Sequence, residues 1–134
     1  MSFELTFTPR GEYLEIGVAG TWSLENVYAL IDATRDECDR LAVNRVLVDT
    51  RAMTGQPTEM GRFKGGVRTA EVLGGKIRVA LLSRAELITR FGENAAVNRG
   101  ANLRVWTDRE EAIAWLLQGL PASAQAPEPP RAGV

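Results

Sequence analysis

Few side chains in this 134-residue sequence could carry out chemistry. It contains no histidine, so the usual general base near neutral pH is missing. The one cysteine, Cys38, falls on the apolar side of a predicted helix, which is typical of a small core residue rather than a nucleophile. Asp49, at a predicted strand end, is the one carboxylate placed to be tested for catalysis. There is no Walker loop, G-x-S-x-G motif or zinc-site spacing. The sequence favours a non-enzymatic protein with no catalytic residue, metal or cofactor.

The charged residues are mostly arginine and are unevenly distributed. Residues 1–60 hold ten acids and five bases, a net −5, whereas residues 61–119 hold ten bases and six acids, a net +4. Fourteen of the sixteen bases are arginine, which can form forked hydrogen bonds with carboxylate or phosphate. This pattern allows an anion-binding face, but the basic excess is too small to favour nucleic acid as a partner.

Arginine and hydroxyl side chains occur where predicted strands give way to helices. Ligands of open α/β sheets bind at this edge, where helix N-termini present unpaired N–H groups that suit an anion. Helix capping accounts for many of the hydroxyls, but no comparable local role is evident for the arginines. We therefore predict a site for an anionic group of a partner or ligand, formed by Arg51, Thr54, Thr58 and Arg84.

The first part of the chain predicts a β-hairpin and a helix. Residues 3–8 and 14–19 alternate apolar and polar side chains on either side of a short Pro/Gly turn. Ser23 is a suitable N-cap for an amphipathic helix that extends to about Ala42.

The next segments predict a short strand and a glycine-rich helix. Residues 45–49 form the strand, and residues 50–56 a loop. The helix runs from Pro57 to about Leu73, and we expect its three glycines to weaken it. The side chains predicted to be buried are Met60, Phe63, Val67 and Ala70.

Two further strand and helix pairs complete the pattern. A strand at residues 76–82 precedes a capping box at 83–86 and a helix that ends near Gly100. The last strand spans residues 103–106, and two overlapping capping boxes then start a helix that ends by Gly119.

This order of elements predicts an α/β fold with a mainly parallel five-stranded sheet and an antiparallel first edge strand. Charged residues lie opposite the apolar side of several strands, which indicates helices mainly on one face. The less covered face would then expose Leu47, Leu82 and Trp106, from which we predict self-association as a homodimer.

Three segments, Val46–Asp49, Phe91–Gly100 and Val105–Leu116, give the chain a family resemblance through their order and spacing. From about residue 3 to 118 it resembles the SpoIIAA-like branch of the STAS superfamily. The resemblance implies a βα superhelix and a non-enzymatic signalling module, such as the antagonists of anti-sigma factors. STAS domains are also compared in fold with lipid-carrying CRAL-TRIO domains.

The resemblance also implies a candidate phosphoacceptor. In the phosphorylated antagonists an Asp-Ser pair begins the helix after the strand that ends in Asp, and counting from Asp49 places that pair on Pro57-Thr58. Thr58 keeps a hydroxyl, but proline replaces the Asp and the usual Ser-Ser-Gly is absent. These departures argue against regulation by an anti-sigma kinase.

We therefore predict an interaction or regulatory module for an unidentified protein partner, spanning residues 1–120. The alternative is a small-ligand or lipid-binding module that uses the strand C-terminal edge, for which Trp22, Met53 and Trp106 are suitable pocket side chains. The lone cysteine and the lack of a leader or membrane-length apolar run predict a cytoplasmic protein. Residues 121–134, rich in Pro and Ala, predict a disordered tail.

Overall fold

A computed structural model describes residues 3–84, 94 and 97–119. They include five strands and three helices whose bounds the structure gives in full. The strands are β1 (Phe3–Pro9), β2 (Leu14–Thr21), β3 (Arg45–Thr54), β4 (Arg78–Leu82) and β5 (Asn102–Trp106). The helices are α1 (Leu24–Leu41), α2 (Glu59–Leu73) and α3 (Arg109–Leu116). Most of the predicted helix between β4 and β5, and the predicted tail at 121–134, lie outside the described residues. Of that helix the structure describes Asn94 and Val97, which are helical, and Gly100, whose φ of 98° fits the predicted left-handed helix end.

The strands form one sheet in the order β1-β2-β3-β4-β5. β1 pairs antiparallel with β2, and the remaining neighbours are parallel. The predicted fold class and the antiparallel first edge strand are therefore confirmed. The side chains of successive strand residues point to opposite faces, so the sheet has a first and a second face, each with apolar side chains to bury.

Helices α1 and α2 cover the first face of the sheet. The core there joins Ile16, Val48 and Val79 from the strands with Ile31 from α1 and Leu73 from α2. Ser23 caps α1 as predicted, since its hydroxyl oxygen accepts a hydrogen bond from the Asn26 backbone N–H at 3.0 Å.

The buried side of α2 differs from the predicted one. Met60 is 60% exposed, and Phe63, Val67 and Ala70 are only half-buried. The side turned inward instead carries Gly61, Gly65, Gly66, Thr69 and Leu73. The prediction followed the large apolar side chains and was wrong because glycine lets α2 approach its neighbours closely.

Helix α3 covers part of the second face of the sheet. Its Ala112 and Leu116 pack on Leu47, Ala80 and Leu82, and all five are fully buried. These strand residues share a face as predicted, but the expectation that no helix covers them was wrong.

The predicted self-association surface is therefore not an open one. Leu47 and Leu82 lie under α3, and Trp106 is half-buried with its ring centroid 6.0 Å from that of Trp115. A homodimer through these three residues would require α3 to leave the sheet, and we do not propose it.

Arginines from the strands hold the C-terminal end of α3 against the sheet. The Arg78 guanidinium lies 4.0 Å from the centroid of the Trp115 ring and donates a hydrogen bond to the Trp115 carbonyl oxygen at 2.8 Å. Arg45 donates to the carbonyl oxygens of Leu116 and Gln118. The last carbonyls of a helix lack partners within it, so these bonds satisfy groups that would otherwise need water.

The N-terminal end of α3 is fixed by a helix cap and by an ion pair with β2. The Asp108 carboxylate accepts from the Glu111 backbone N–H at 2.9 Å, the cap that one of the two predicted capping boxes requires. Arg109 donates to the Glu15 carboxylate on β2 at 2.6 Å. The charged groups on the second face thus dock a helix instead of facing an open surface.

Strand β3 is longer than predicted, because residues 50–54 continue the strand instead of forming a loop. Gly17 of β2 is opposite Asp49, while Ala19 is opposite Ala52, so β3 contains one extra residue at this point. Such a β-bulge bends the strand and interrupts the alternation of side chains. The extension therefore lacks the period-2 pattern that identifies a strand.

Candidate functional site

The edge where β2 and β3 end and α1 and α2 begin is the candidate site, called here the carboxyl edge. The Trp22 backbone N–H donates to the Thr54 carbonyl oxygen at 2.8 Å, and the hydroxyl oxygens of Thr21 and Thr54 lie 3.3 Å apart. The Asn26 side-chain amide donates to the Thr21 carbonyl oxygen at 2.9 Å. These bonds hold the strand ends and the start of α1 in one unit.

The start of α2 is the most exposed part of the carboxyl edge. Thr58 is the N-cap, and its hydroxyl oxygen accepts from the Gly61 backbone N–H at 2.9 Å. All residues from Thr54 to Met60 are exposed except Pro57, which is half-buried. Met60 is more exposed than any other large apolar side chain among the residues that the structure describes. The edge therefore combines exposed hydroxyls, a helix N-terminus and an exposed thioether.

Trp22 explains how α2 is seated at this edge. A Cβ added to Gly61 would lie 2.3 Å from Trp22 Cη2 and 3.1 Å from the Thr58 hydroxyl oxygen. Contacts between heavy atoms as short as 2.3 Å do not occur at a real Cβ, so the indole ring occupies the space that a side chain would need. Gly61 is thus required for this helix position.

Arg51 is bound to Asp49 rather than free to bind an anion. Its guanidinium donates two hydrogen bonds of 3.0 Å to the Asp49 carboxylate, which also accepts from the Arg51 backbone N–H at 3.0 Å. Partial burial by itself would raise the pKa of Asp49. The hydrogen bonds from Arg51 outweigh burial, so this pKa lies below its ordinary value.

The pair also belongs to a different surface from Thr58. Asp49 and Arg51 border a shallow depression with Glu4, Thr6 and Gly17, whereas Thr58 caps α2, which packs on the first face. An ionised Asp49 held by arginine is poorly suited to accept a proton at neutral pH, and Arg51 already directs two of its donors to it.

Arg84 follows β4, is half-buried, and takes part in an interaction within the protein. The expectation that both arginines lack a local role was therefore wrong. Thr54 and Thr58 lie together at the carboxyl edge, where the sequence predicted them, and they are its accessible predicted members. That any of these four residues binds an anion stays a prediction.

The groups considered for catalysis are poorly placed for it. The Cys38 side chain is 1% exposed, and burial, assisted by the neighbouring Asp39 and Glu37, raises the pKa of its thiol to about 11. Among the residues that the structure describes, no group of three or more Cys, Asp or Glu side chains could hold a metal ion. No helix in the described ranges is long and apolar enough to cross a membrane.

Beneath the carboxyl edge lies a cavity of about 210 Å³, called here the α1–α2 cavity. It is bounded by α1, α2 and the first face of the sheet. Trp22 and Met53, two of the three side chains predicted to suit a ligand pocket, line it, whereas Trp106 lies on the second face. Its described wall also includes Val27, Leu30, Ile31, Thr34, Val48, Thr50, Gly61, Arg62, Gly65, Gly66, Thr69, Leu73, Val79, Leu81, Leu103 and Val105.

Sequence reasoning missed the glycines of α2 as site residues. The spacing Gly61-x-x-x-Gly65 was a usable signal, because small residues four apart share one side of a helix and permit close packing. Helix propensity alone predicts only that these glycines weaken the helix.

The comparisons with known proteins bear on the fold. No protein-family model and no curated protein sequence matches the chain. Solved structures do match. One is an anti-sigma factor antagonist from Mycobacterium paratuberculosis, with a TM-score of 0.61 and 15% identity, over 86% of this chain and 94% of that one. Another is an uncharacterised DUF3478-family protein with a SpoIIAA-like fold from Shewanella loihica PV-4. Its TM-score is 0.54 and its identity 18%, over 85% of this chain and 93% of that one.

The sheet order, the crossover helices and these two structures place the protein in the α/β class with a SpoIIAA-like fold. The resemblance found in the sequence to SpoIIAA-like STAS proteins is thereby confirmed at the level of fold.

Proposed function

We propose that the protein is a non-enzymatic interaction module that binds a protein partner through the carboxyl edge. The observation that carries the proposal is the exposure of Met60 in the first turn of α2, next to exposed Thr54 and Thr58. The SpoIIAA-like fold, shared with an anti-sigma factor antagonist, supports a regulatory role.

A methionine at this position has a physical advantage for recognition. Its flexible, polarizable side chain adapts to irregular surfaces, and full burial of such a side chain is worth about 1.5–3 kcal/mol. The exposed hydroxyls of Thr54 and Thr58 can add hydrogen bonds around it. The surface therefore supports recognition of a partner with a small apolar depression and a polar rim.

Thr58 is also the candidate phosphoacceptor of this surface, for a kinase other than an anti-sigma kinase. A phosphate on Thr58 would lie at the N-terminus of a fifteen-residue helix, where negative charge is favoured by about 0.3–1 kcal/mol at an exposed site. It would also change the charge of the partner surface beside Met60.

Site-directed photocrosslinking tests the interaction. A benzophenone amino acid at position 60 should yield a discrete crosslinked product with one cellular protein, and Met60→Glu should reduce recovery of that protein. The matched control places the crosslinker at Asp36, an exposed position on α1. Equal labelling from both positions, or none from position 60, would refute the use of the carboxyl edge.

A further inference from the structure

We propose that the α1–α2 cavity binds an uncharged, mainly apolar molecule about the size of indole. This site goes beyond the proposed partner surface, which is formed by exposed side chains outside the cavity. An apolar cavity of about 150 Å³ stays free of water and takes up benzene. In proportion, the 210 Å³ of this cavity accommodates about eight or nine ring atoms.

The polar groups of the cavity wall define the ligand's chemistry. The described wall carries four side-chain hydroxyls, and three of them donate hydrogen bonds to backbone carbonyl oxygens: Thr34 to Leu30 at 2.7 Å, Thr50 to Leu82 at 2.9 Å and Thr69 to Gly65 at 2.8 Å. Each of the three threonine hydroxyl oxygens keeps only the capacity to accept. The fourth, Ser83, can donate as well as accept. The wall therefore suits a mainly hydrocarbon molecule with one small polar group, such as an indole or phenol.

A charged ligand is disfavoured by the same wall. Within the described lining the one charged side chain is Arg62, and Arg62 is already engaged in an interaction within the protein. Burying an ionised group without a partner costs far more than burial of the attached ring contributes. Selection should therefore be for neutral molecules.

The shape of the cavity depends on the glycines of α2. Gly61, Gly65 and Gly66 present no side chain toward it, so the helix backbone itself forms part of the wall. A Cβ on Gly65 would lie 3.4 Å from Val27 Cγ1, an ordinary contact distance. A substitution here narrows the cavity without forcing the two helices apart.

Fluorine NMR with 5-fluoroindole tests the site directly. The resonance of the probe should shift or broaden with the full chain, and the melting temperature should rise as the probe concentration increases. At one hundred times the dissociation constant the unfolding equilibrium constant should fall about a hundredfold. The charged match, 5-fluoroindole-2-carboxylate, should bind at least tenfold more weakly.

Two substitutions locate the binding. Thr69→Leu places a longer side chain in the cavity and should weaken binding at least fivefold, whereas Lys64→Leu makes a comparable change on the exposed side of α2 and should not. Gly65→Ala, a milder change, should weaken binding several-fold and keeps the test valid if Thr69→Leu fails to fold. Met60→Glu should leave 5-fluoroindole binding unchanged, which separates this site from the partner surface.

Several results would overturn the proposal. They are no binding by the unmutated chain, equal binding of the neutral and charged probes, or equal weakening by Thr69→Leu and Lys64→Leu.

Discussion

The contact between Gly61 and Trp22 leads to the sharpest stability prediction. A Cβ at position 61 would lie 2.3 Å from the far end of the Trp22 indole, so Gly61→Ala must displace either the ring or the start of α2. Overpacking of this kind costs about 1–3 kcal/mol. Alanine regains at most about 1 kcal/mol of helix propensity. Because 2.3 Å is far inside any real contact, we expect a cost in the upper part of that range, about 2–3 kcal/mol, and a net loss of unfolding free energy of about 1–2 kcal/mol.

A matched substitution four residues further along α2 should behave differently. Gly65→Ala places its Cβ 3.4 Å from Val27 Cγ1, which is ordinary contact, so stability should be unchanged or rise by up to about 1 kcal/mol. Urea unfolding of both variants measures the two values. For a chain of this size the Gly61→Ala loss corresponds to a fall in melting temperature of about 3–10 °C.

A double-mutant cycle assigns the loss to the indole. Trp22→Phe removes the outer ring atoms nearest to position 61, so Gly61→Ala should cost less in that background than in the unmutated chain. The reasoning is refuted if Gly61→Ala melts at or above the unmutated temperature, or if its cost is the same in both backgrounds.

Four further predictions concern single features. Thr58→Ala should cost about 1 kcal/mol in chemical unfolding, since the N-cap bond to Gly61 is lost, while Thr58→Ser should cost much less. Cys38, with a thiol pKa of about 11, should resist Ellman's reagent at pH 8 in the native protein and react at once in denaturant. Because Arg51 lowers the pKa of folded Asp49, its ion pair stabilises the protein above the ordinary carboxyl pKa and is lost as pH falls through the lowered value. Asp49→Asn should therefore cost up to about 1 kcal/mol at pH 7 and nothing near pH 2, as judged by unfolding at both pH values. Removal of residues 121–134 should change the melting temperature by no more than a few degrees, whereas a larger fall would show that the tail stabilises the domain.

The arginines show where local sequence reasoning failed at the candidate site. Arg51 and Arg84 had no evident partner in the sequence. In the structure Arg51 binds Asp49 two residues away, and Arg84 is also engaged. Residues two apart in a strand share a face, so Asp49 and Arg51 can pair once residue 51 belongs to β3, whereas the sequence pattern predicts a loop at residues 50–56. Thr54 and Thr58 could be placed correctly because both follow directly from the order of β3 and α2.

The sequence by itself determined the order and type of the described elements, and their approximate limits except for the second half of β3. Those signals are local: alternation in β1 and β2, helical periodicity in α1, and the caps Ser23 and Asp108 each involve residues close together in the chain. Because the element order also restricts the connections between parallel strands, the SpoIIAA-like sheet could be predicted as well.

Only the tertiary structure decided which sides of the helices are buried. The inward side of α2 depends on Trp22, 39 residues before Gly61, and the position of α3 depends on Arg78, 37 residues before Trp115. At such contacts, close packing of two elements can be more favourable than burial of a large side chain. The side of α2 that carries the glycines is therefore buried, while Met60 stays exposed to water. Hydrophobic periodicity ranks residues by their own apolarity, so it does not show which side of a helix packs against residues distant in the chain.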